Sequence, residues 1–175
     1  GQRTGQGSKP NVHVRGQPVA CGAGGKPTGR HSLYRNNGAG TCSEVSQQAG
    51  SAKATECYGM TVVAADLDED GWTDIFVACD STPSLLFMNN HDGTFREEGV
   101  LRGVALSDDG MEQAGMGVGV GDYDLDGHLD LFKTPFADDA NGLYHNDGTG
   151  HYDEHTRSSL RAVKRRYVRV GSSVG

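Results

Sequence analysis

Two acidic stretches, DLDEDGWTD at residues 66–74 and DYDLDGHLD at residues 122–130, decide the fold of this chain. Both follow the spacing D-x-D-x-D-G-x-x-D, and the second lies 56 positions after the first at every residue. Each stretch is preceded by a Gly-Met step and a mostly apolar run, and each leads into another short apolar run. An acidic loop between two such runs, repeated in register, predicts a repeat that is built from β-hairpins.

A second element recurs three times and is rich in asparagine. It reads LYRNN at residues 33–37, LFMNN at 86–90 and LYHND at 143–147, with offsets of 53 and 57 residues. A glycine then precedes Cys42, Phe95 or Tyr152 by two positions. Because the two elements keep the same order, the chain is interpreted as a repeat protein with units of about 56 residues.

Short apolar or alternating runs between Gly, Asn and Asp predict about four strands per unit, and no segment shows a helical stripe. The expected strands are residues 60–65, 75–79, 84–88, 94–98, 116–121, 129–133, 142–145 and 150–154. Four short strands per unit are typical of a propeller blade, so the predicted fold is all-β, with roughly three blades in an incomplete or open propeller. Since propellers typically use about 4–8 blades, blade faces should remain uncovered.

The predicted organisation has three parts. Residues 1–32 are a Gly-rich basic segment, irregular or a partial blade, and residues 33–156 are the repeat region with both acidic loops. Residues 157–175 are basic and would start a further blade, but they end before a third acidic loop. We therefore expect either a fragment or a chain that completes its sheets with other copies.

The acidic spacing predicts two calcium sites, because oxygen ligands at positions 1, 3, 5 and 9 can converge on one hard cation, with a backbone carbonyl from position 7. Glycine at position 6 allows the sharp turn. An EF-hand would need a glutamate at position 12, where the chain has Val77 and Lys133, and flanking helices. The expected ligands are Asp66, Asp68, Asp70, Asp74 and the carbonyl of Trp72, and then Asp122, Asp124, Asp126, Asp130 and the carbonyl of His128.

Charge is segregated along the chain, whose formal net charge is −7. Twelve of the 16 cations lie in residues 1–43 and 156–175, which contain no acid, so all 23 acids lie between them. Basic ends can dock on an acidic middle, within one molecule or between copies, or simply remain solvated. The net charge and the lack of a recognition motif argue against nucleic acid, and no apolar run is long enough to span a membrane.

Four cysteines, Cys21, Cys42, Cys57 and Cys79, lack the close pairs of a zinc site. They are candidates for two disulfides in an oxidising compartment, with three pairings open, or for buried free thiols. His145, His151 and His155 are candidates for a transition-metal site, but strand and turn positions need not bring their side chains together. No catalytic motif is present.

These motifs resemble FG-GAP/VCBS-type repeats, the calcium-loop blades of integrin α-subunit propellers. The asparagine-rich element together with the 66–74 loop is most similar to secreted bacterial proteins of the ASPIC/UnbV type. The resemblance covers about residues 33–156 and implies a calcium-stabilised, extracellular or periplasmic propeller that serves binding or adhesion. The chain departs from the pattern at Cys42, where the other units have aromatic residues, and it lacks the Gly-Ala-Pro part of the repeat's name.

We therefore expect a secreted, non-catalytic module for adhesion, scaffolding or self-assembly, with two bound Ca²⁺ ions. Its expected partners are other copies of the chain or further blades, and an extracellular protein or glycan. Head-to-tail contacts that do not close would form a filament. The alternatives are a blade fragment of a larger polysaccharide-active enzyme and a calcium-dependent carbohydrate-binding module.

Overall fold

The computed structural model describes residues 12–14, 17–19, 28, 31–54, 57–136 and 140–156, and its regular structure is almost entirely β. One helical turn, α1 (Ser46–Ala49), and one 3-10 turn (Ser51–Lys53) interrupt the strands. The strands are β1 (Val12–Val14), β2 (Gln17–Val19), β3 (Tyr34–Gly38), β4 (Thr41–Glu44), β5 (Gly59–Ala65), β6 (Asp74–Cys79), β7 (Leu85–Asn89), β8 (Phe95–Glu97), β9 (Gly115–Gly121), β10 (Asp130–Pro135), β11 (Gly142–Asn146) and β12 (Tyr152–Glu154).

Two four-stranded antiparallel sheets dominate the fold, and each is a simple meander in chain order. We call β5–β8 blade 1 and β9–β12 blade 2. All eight strands expected from the sequence are present, with ends that differ by at most two residues. The predicted open, blade-like all-β fold is therefore confirmed.

Two smaller hairpins precede these blades. Strands β3 and β4 pair with each other, and in sequence they correspond to the outer strands of each blade, β7–β8 and β11–β12. Strands β1 and β2 pair in residues 12–19, within the segment predicted to be irregular or a partial blade. The segment 157–175, predicted to start a further blade, lies outside the described residues.

The core lies between the two blades. Since side chains alternate between the faces of a strand, Phe76 and Ala78 on β6 point to blade 2, whereas Ile75 and Val77 point away from it. Leu86 and Met88 of β7 join the face that packs on blade 2. The buried cluster contains Leu67, Phe76, Ala78, Leu86, Met88, Val104, Val118, Leu131, Tyr144 and Tyr152.

The first strands of the two blades approach each other closely. Thr61 on β5 donates its hydroxyl hydrogen to the carbonyl of Met116 on β9 at 2.6 Å. A Cβ at Gly115 would lie 3.0 Å from the carbonyl oxygen of Cys79 and 3.3 Å from the Cβ of Ala78. Gly115, the first residue of β9, thus allows a close backbone approach between the blades.

The opposite face of blade 1 is only partly covered. Cys57, Val77, Cys79 and Phe87 form a small buried cluster there, and a disulfide joins Cys57 to Cys79 with a Cα–Cα distance of 5.7 Å. Cys42 is exposed and has no disulfide partner among the described residues, which do not include Cys21. Within the described part of the chain, no helix is long and apolar enough to cross a membrane.

Candidate metal centres

The two acidic loops have the same internal hydrogen bonds. In the first, one oxygen of Asp66 accepts the N–H of Asp70 at 3.1 Å, and the other accepts the N–H of Gly71 at 2.9 Å. In the second, Asp122 binds the N–H groups of Asp126 and Gly127 at the same two distances. In each loop, the carboxylate at position 1 therefore holds the backbone of positions 5 and 6 in a turn around it.

Positions 4 to 7 also share their conformation. Position 4 has a positive φ in both loops, 60° at Glu69 and 64° at Leu125, and so does the glycine at position 6. The position 5 carboxylates accept the N–H of position 7, from Trp72 at 2.8 Å and from His128 at 2.9 Å. This conformation brings the carboxylates of positions 1, 3 and 5 together in each loop.

The aspartate at position 9 fastens each loop to its blade. Asp74 is fully buried, and it accepts the N–H of Leu67 at 3.0 Å and that of Asn89 on β7 at 2.8 Å. Asp130 makes the equivalent bonds to Tyr123 and to Asn146 on β11. Burial raises the pKa of Asp74 in spite of these bonds.

The side chains that could bind a metal form three groups. Within each group, one candidate ligand atom from each residue lies within 4.8 Å of those of the other two. These are Asp66 with Asp68 and Asp70, Asp122 with Asp124 and Asp126, and Asp124 with Asp130 and His145. Asp74 does not join the first group at that distance, so the ligand set predicted for each loop is brought together only in part. The backbone carbonyls of Trp72 and His128 remain predicted ligands.

The first loop contains a buried oxygen that lacks a partner. Oδ1 of Asp68 is shielded from solvent and accepts no hydrogen bond from any of the residues that the structure describes. Burial and the nearby carboxylate of Asp70 raise the pKa of Asp68. A divalent cation would satisfy this oxygen and offset the repulsion, and an all-oxygen donor set suits calcium.

An arginine that sequence reasoning did not single out lies beside the first loop. Arg102 is buried, and its guanidinium lies 3.6 Å from Asp68 and donates to the carbonyl of Thr149 in blade 2 at 2.5 Å. It also donates to Glu98 at 3.0 Å. Its one signal in the sequence is that it is among only four cations in residues 44–155.

Three histidines contact the acidic side chains of the loops. His91 pairs with Asp70 at 2.5 Å and stacks on Trp72, with 5.1 Å between the ring centroids. His128 of the second loop pairs with Glu69 of the first at 2.5 Å, a hydrogen bond that raises the pKa of His128. The two loops are thus linked side by side.

His145 is the third of these histidines, and it faces the second loop. Of the other two candidate histidines, His155 stacks on the ring of His145, with 4.9 Å between the ring centroids. His151 instead lies 3.2 Å from the hydroxyl of Thr149. The three do not form a metal-binding group among the described residues; the partners of His145 are the loop aspartates.

Comparison with known proteins supports the repeat interpretation. A family model described as an FG-GAP-like repeat matches twice, over residues 19–77 and 66–133, which together span well over half of the chain and both acidic loops. A search of the curated proteins finds no match. The chain belongs to the FG-GAP-like repeat family.

Proposed function

We propose that this protein is a secreted, calcium-binding repeat module that serves adhesion, scaffolding or self-assembly and has no catalytic role. Repeats of this family suggest a propeller-type module and are generally structural. The observation that carries the calcium assignment is that both loops have the same internal hydrogen bonds and each holds three carboxylates whose oxygens lie within 4.8 Å of one another. Such a grouping is costly without a cation, because like charges at short range repel.

The bound ions act on the fold itself. Two divalent cations change the formal net charge from −7 to −3, and each removes the repulsion within one loop. At the weak affinities of extracellular modules, millimolar calcium adds about 1–2 kcal/mol of stability per site. The loops are linked by Glu69 and His128, so the ions stabilise the packing of the two blades as well as each hairpin.

The disulfide supports a secreted location. Cys57 and Cys79 are joined in the structure, and such bonds persist mainly in oxidising compartments. Extracellular fluids also commonly supply the millimolar calcium that weak sites need. Secretion and calcium binding are therefore consistent with each other.

The partner we propose is a second copy of this chain, stacked on the open face of blade 1. Val62 and Met60 on β5 are 62% and 48% exposed, whereas Val118, the repeat equivalent of Val62, is buried against blade 1. In blade 2, Phe132 corresponds to the buried Phe76 but is only partly buried. Blade 2 of one copy can therefore cover blade 1 of the next, a heterologous contact that the segregated charges favour.

Calorimetric titration with Ca²⁺ tests the metal assignment. The wild-type chain should bind two ions, and Asp66→Asn and Asp122→Asn should each remove one of them. Asp153→Asn is the matched control, because Asp153 is exposed on β12 outside both loops. A titration without heat, together with a melting temperature that calcium does not change, would refute the calcium assignment.

Sedimentation in calcium tests the proposed partner. The chain should associate in a concentration-dependent way, and added salt should weaken the association if the basic ends meet acidic loops. A compact monomer at high protein concentration would contradict self-assembly, and an association that salt does not change would contradict the charge argument.

A further inference from the structure

We propose that Arg102 makes the first loop the weaker of the two calcium sites, so that the second loop fills first as calcium rises and the first loop empties first as calcium falls. The inference rests on the proposed function, because it requires both loops to bind calcium. It adds that one buried side chain outside the loops sets the difference between their affinities.

Arg102 is held in place beside one of the predicted ligands. Its guanidinium lies 3.6 Å from the carboxylate of Asp68, and it donates to the carbonyl of Thr149 in blade 2 at 2.5 Å. Its Nε also donates to Glu98 at 3.0 Å. Because only 10% of its side chain is exposed, the guanidinium has little room to move away from an ion that binds Asp68.

The positive charge beside Asp68 is not cancelled by Glu98. The carboxylate of Glu98 also accepts a hydrogen bond from Arg96 at 2.7 Å, so its one negative charge is shared by two arginines. The three side chains together therefore keep one net positive charge. Salt and water screen buried charges much less than exposed ones, so Arg102 acts strongly on its neighbour Asp68.

This charge lowers the calcium affinity of the first loop in two ways that have the same sign. It relieves part of the repulsion among the carboxylates when no ion is bound, so an ion has less repulsion left to remove. It also repels the bound ion, since a guanidinium does not lose its proton in proteins. At a separation of a few ångströms, a unit charge and a divalent ion interact strongly enough to change an affinity by about tenfold, even in the dielectric of water.

The first loop does not need Arg102 to hold its shape. In the second loop, the aspartates at positions 1 and 5 accept the same backbone N–H groups as in the first. Among the described residues, the ion pairs of the second loop's aspartates involve only His145 and no arginine or lysine. The same loop conformation thus forms without a guanidinium, so the effect of Arg102 on calcium is that of its charge.

The additional acid of the first loop has less effect than Arg102. Glu69 stands where the second loop has Leu125, but its side chain is 44% exposed and pairs with His128. An exposed charge acts weakly through water and salt, whereas the guanidinium of Arg102 is buried. The described charges therefore leave the first loop as the weaker site.

Calorimetric titration of two variants with Ca²⁺ tests the order of the affinities. Asp122→Asn leaves the first loop as the binding site, and Asp66→Asn leaves the second. The remaining site should bind Ca²⁺ about tenfold more weakly in Asp122→Asn than in Asp66→Asn. Equal affinities or the reverse order would overturn this inference while leaving the proposed calcium function intact, whereas no binding in either variant would refute both.

Substitutions of Arg102 in the Asp122→Asn variant test the cause of the difference. Arg102→Gln removes the charge and should tighten calcium binding at the first loop by about tenfold. Arg102→Lys keeps the charge and should leave the affinity within about twofold of the parent variant. Arg96→Gln is the matched control, because Arg96 also pairs with Glu98 but is 42% exposed, and it should change the affinity by less than about twofold.

Far-UV circular dichroism checks that each variant folds. Calcium affinity that is unchanged in Arg102→Gln, or that falls in both Arg102→Gln and Arg102→Lys, would overturn the inference, because Arg102 would then act through its contacts and not through its charge. If Arg102→Gln does not fold, the comparison of Asp122→Asn with Asp66→Asn still decides which loop is the weaker site.

Discussion

Replacing Asn146 by alanine should destabilise the protein strongly, because this fully buried side chain joins the two blades. Its amide donates to the carbonyls of Leu67 in blade 1 at 2.9 Å and Leu129 in blade 2 at 3.1 Å. Its carbonyl oxygen accepts the N–H groups of Gly148 at 3.0 Å and Gly150 at 3.1 Å. At about 1 kcal/mol for each of four bonds, the expected loss in unfolding free energy is about 4 kcal/mol.

The matched control is Asn89→Ala, since Asn89 is the repeat equivalent of Asn146 in blade 1. Its side chain makes two hydrogen bonds in an exposed setting, to the carbonyl of Thr73 and from the N–H of His91, each at 2.9 Å. Water can replace these partners after the substitution. The expected loss is about 1 kcal/mol, so the two variants should differ by about 3 kcal/mol.

Urea unfolding in the presence of Ca²⁺, followed by circular dichroism, measures both losses on the same footing. Losses in unfolding free energy that agree within about 1 kcal/mol would refute the reasoning. They would show that the contact of Asn146 with blade 1 contributes no stability beyond that of the turn that each asparagine holds.

Three further predictions concern other parts of the fold. Cys57→Ser should lower the unfolding free energy by about 3 kcal/mol, the entropy of closing a loop of 22 residues, whereas Cys42→Ser should not change it. Burial favours a higher pKa for Glu98, but hydrogen bonds from Arg102 and Arg96 outweigh burial and lower the pKa. Melting temperatures should therefore fall as the pH drops below about 4.5, and they should fall less steeply in Glu98→Gln. Val62→Lys should abolish self-association and leave the fold intact, whereas Val118→Lys should unfold the chain, as sedimentation and circular dichroism would show.

The eight blade strands and the loop backbones were predictable because they depend on short-range interactions. A period-two pattern of apolar residues defines which face of a strand is buried, whichever neighbour later covers it. The hydrogen bonds that Asp66 and Asp122 accept from backbone N–H groups of their own loops span only four or five residues. Such contacts form from spacing alone, so a repeated spacing gives a repeated geometry.

The role of Asp74 shows where this local reasoning ends. Spacing alone makes it a metal ligand, yet its oxygens accept N–H groups from Leu67 and from Asn89, which is 15 residues away on β7. That second contact exists only after β7 pairs with β6. The Asp74 side chain therefore has a structural role that cannot be predicted from its position in the motif.

By itself, the sequence determined the repeat, the strands and the paired acidic loops, since each depends on residues close together in the chain. Only the tertiary structure decided which distant side chains reach those loops. His128 meets Glu69 across 59 residues, and Arg102 meets Thr149 across 47. The physical reason is that these contacts depend on how one blade stacks on the next, and that stacking is set by the buried faces together rather than by any single motif.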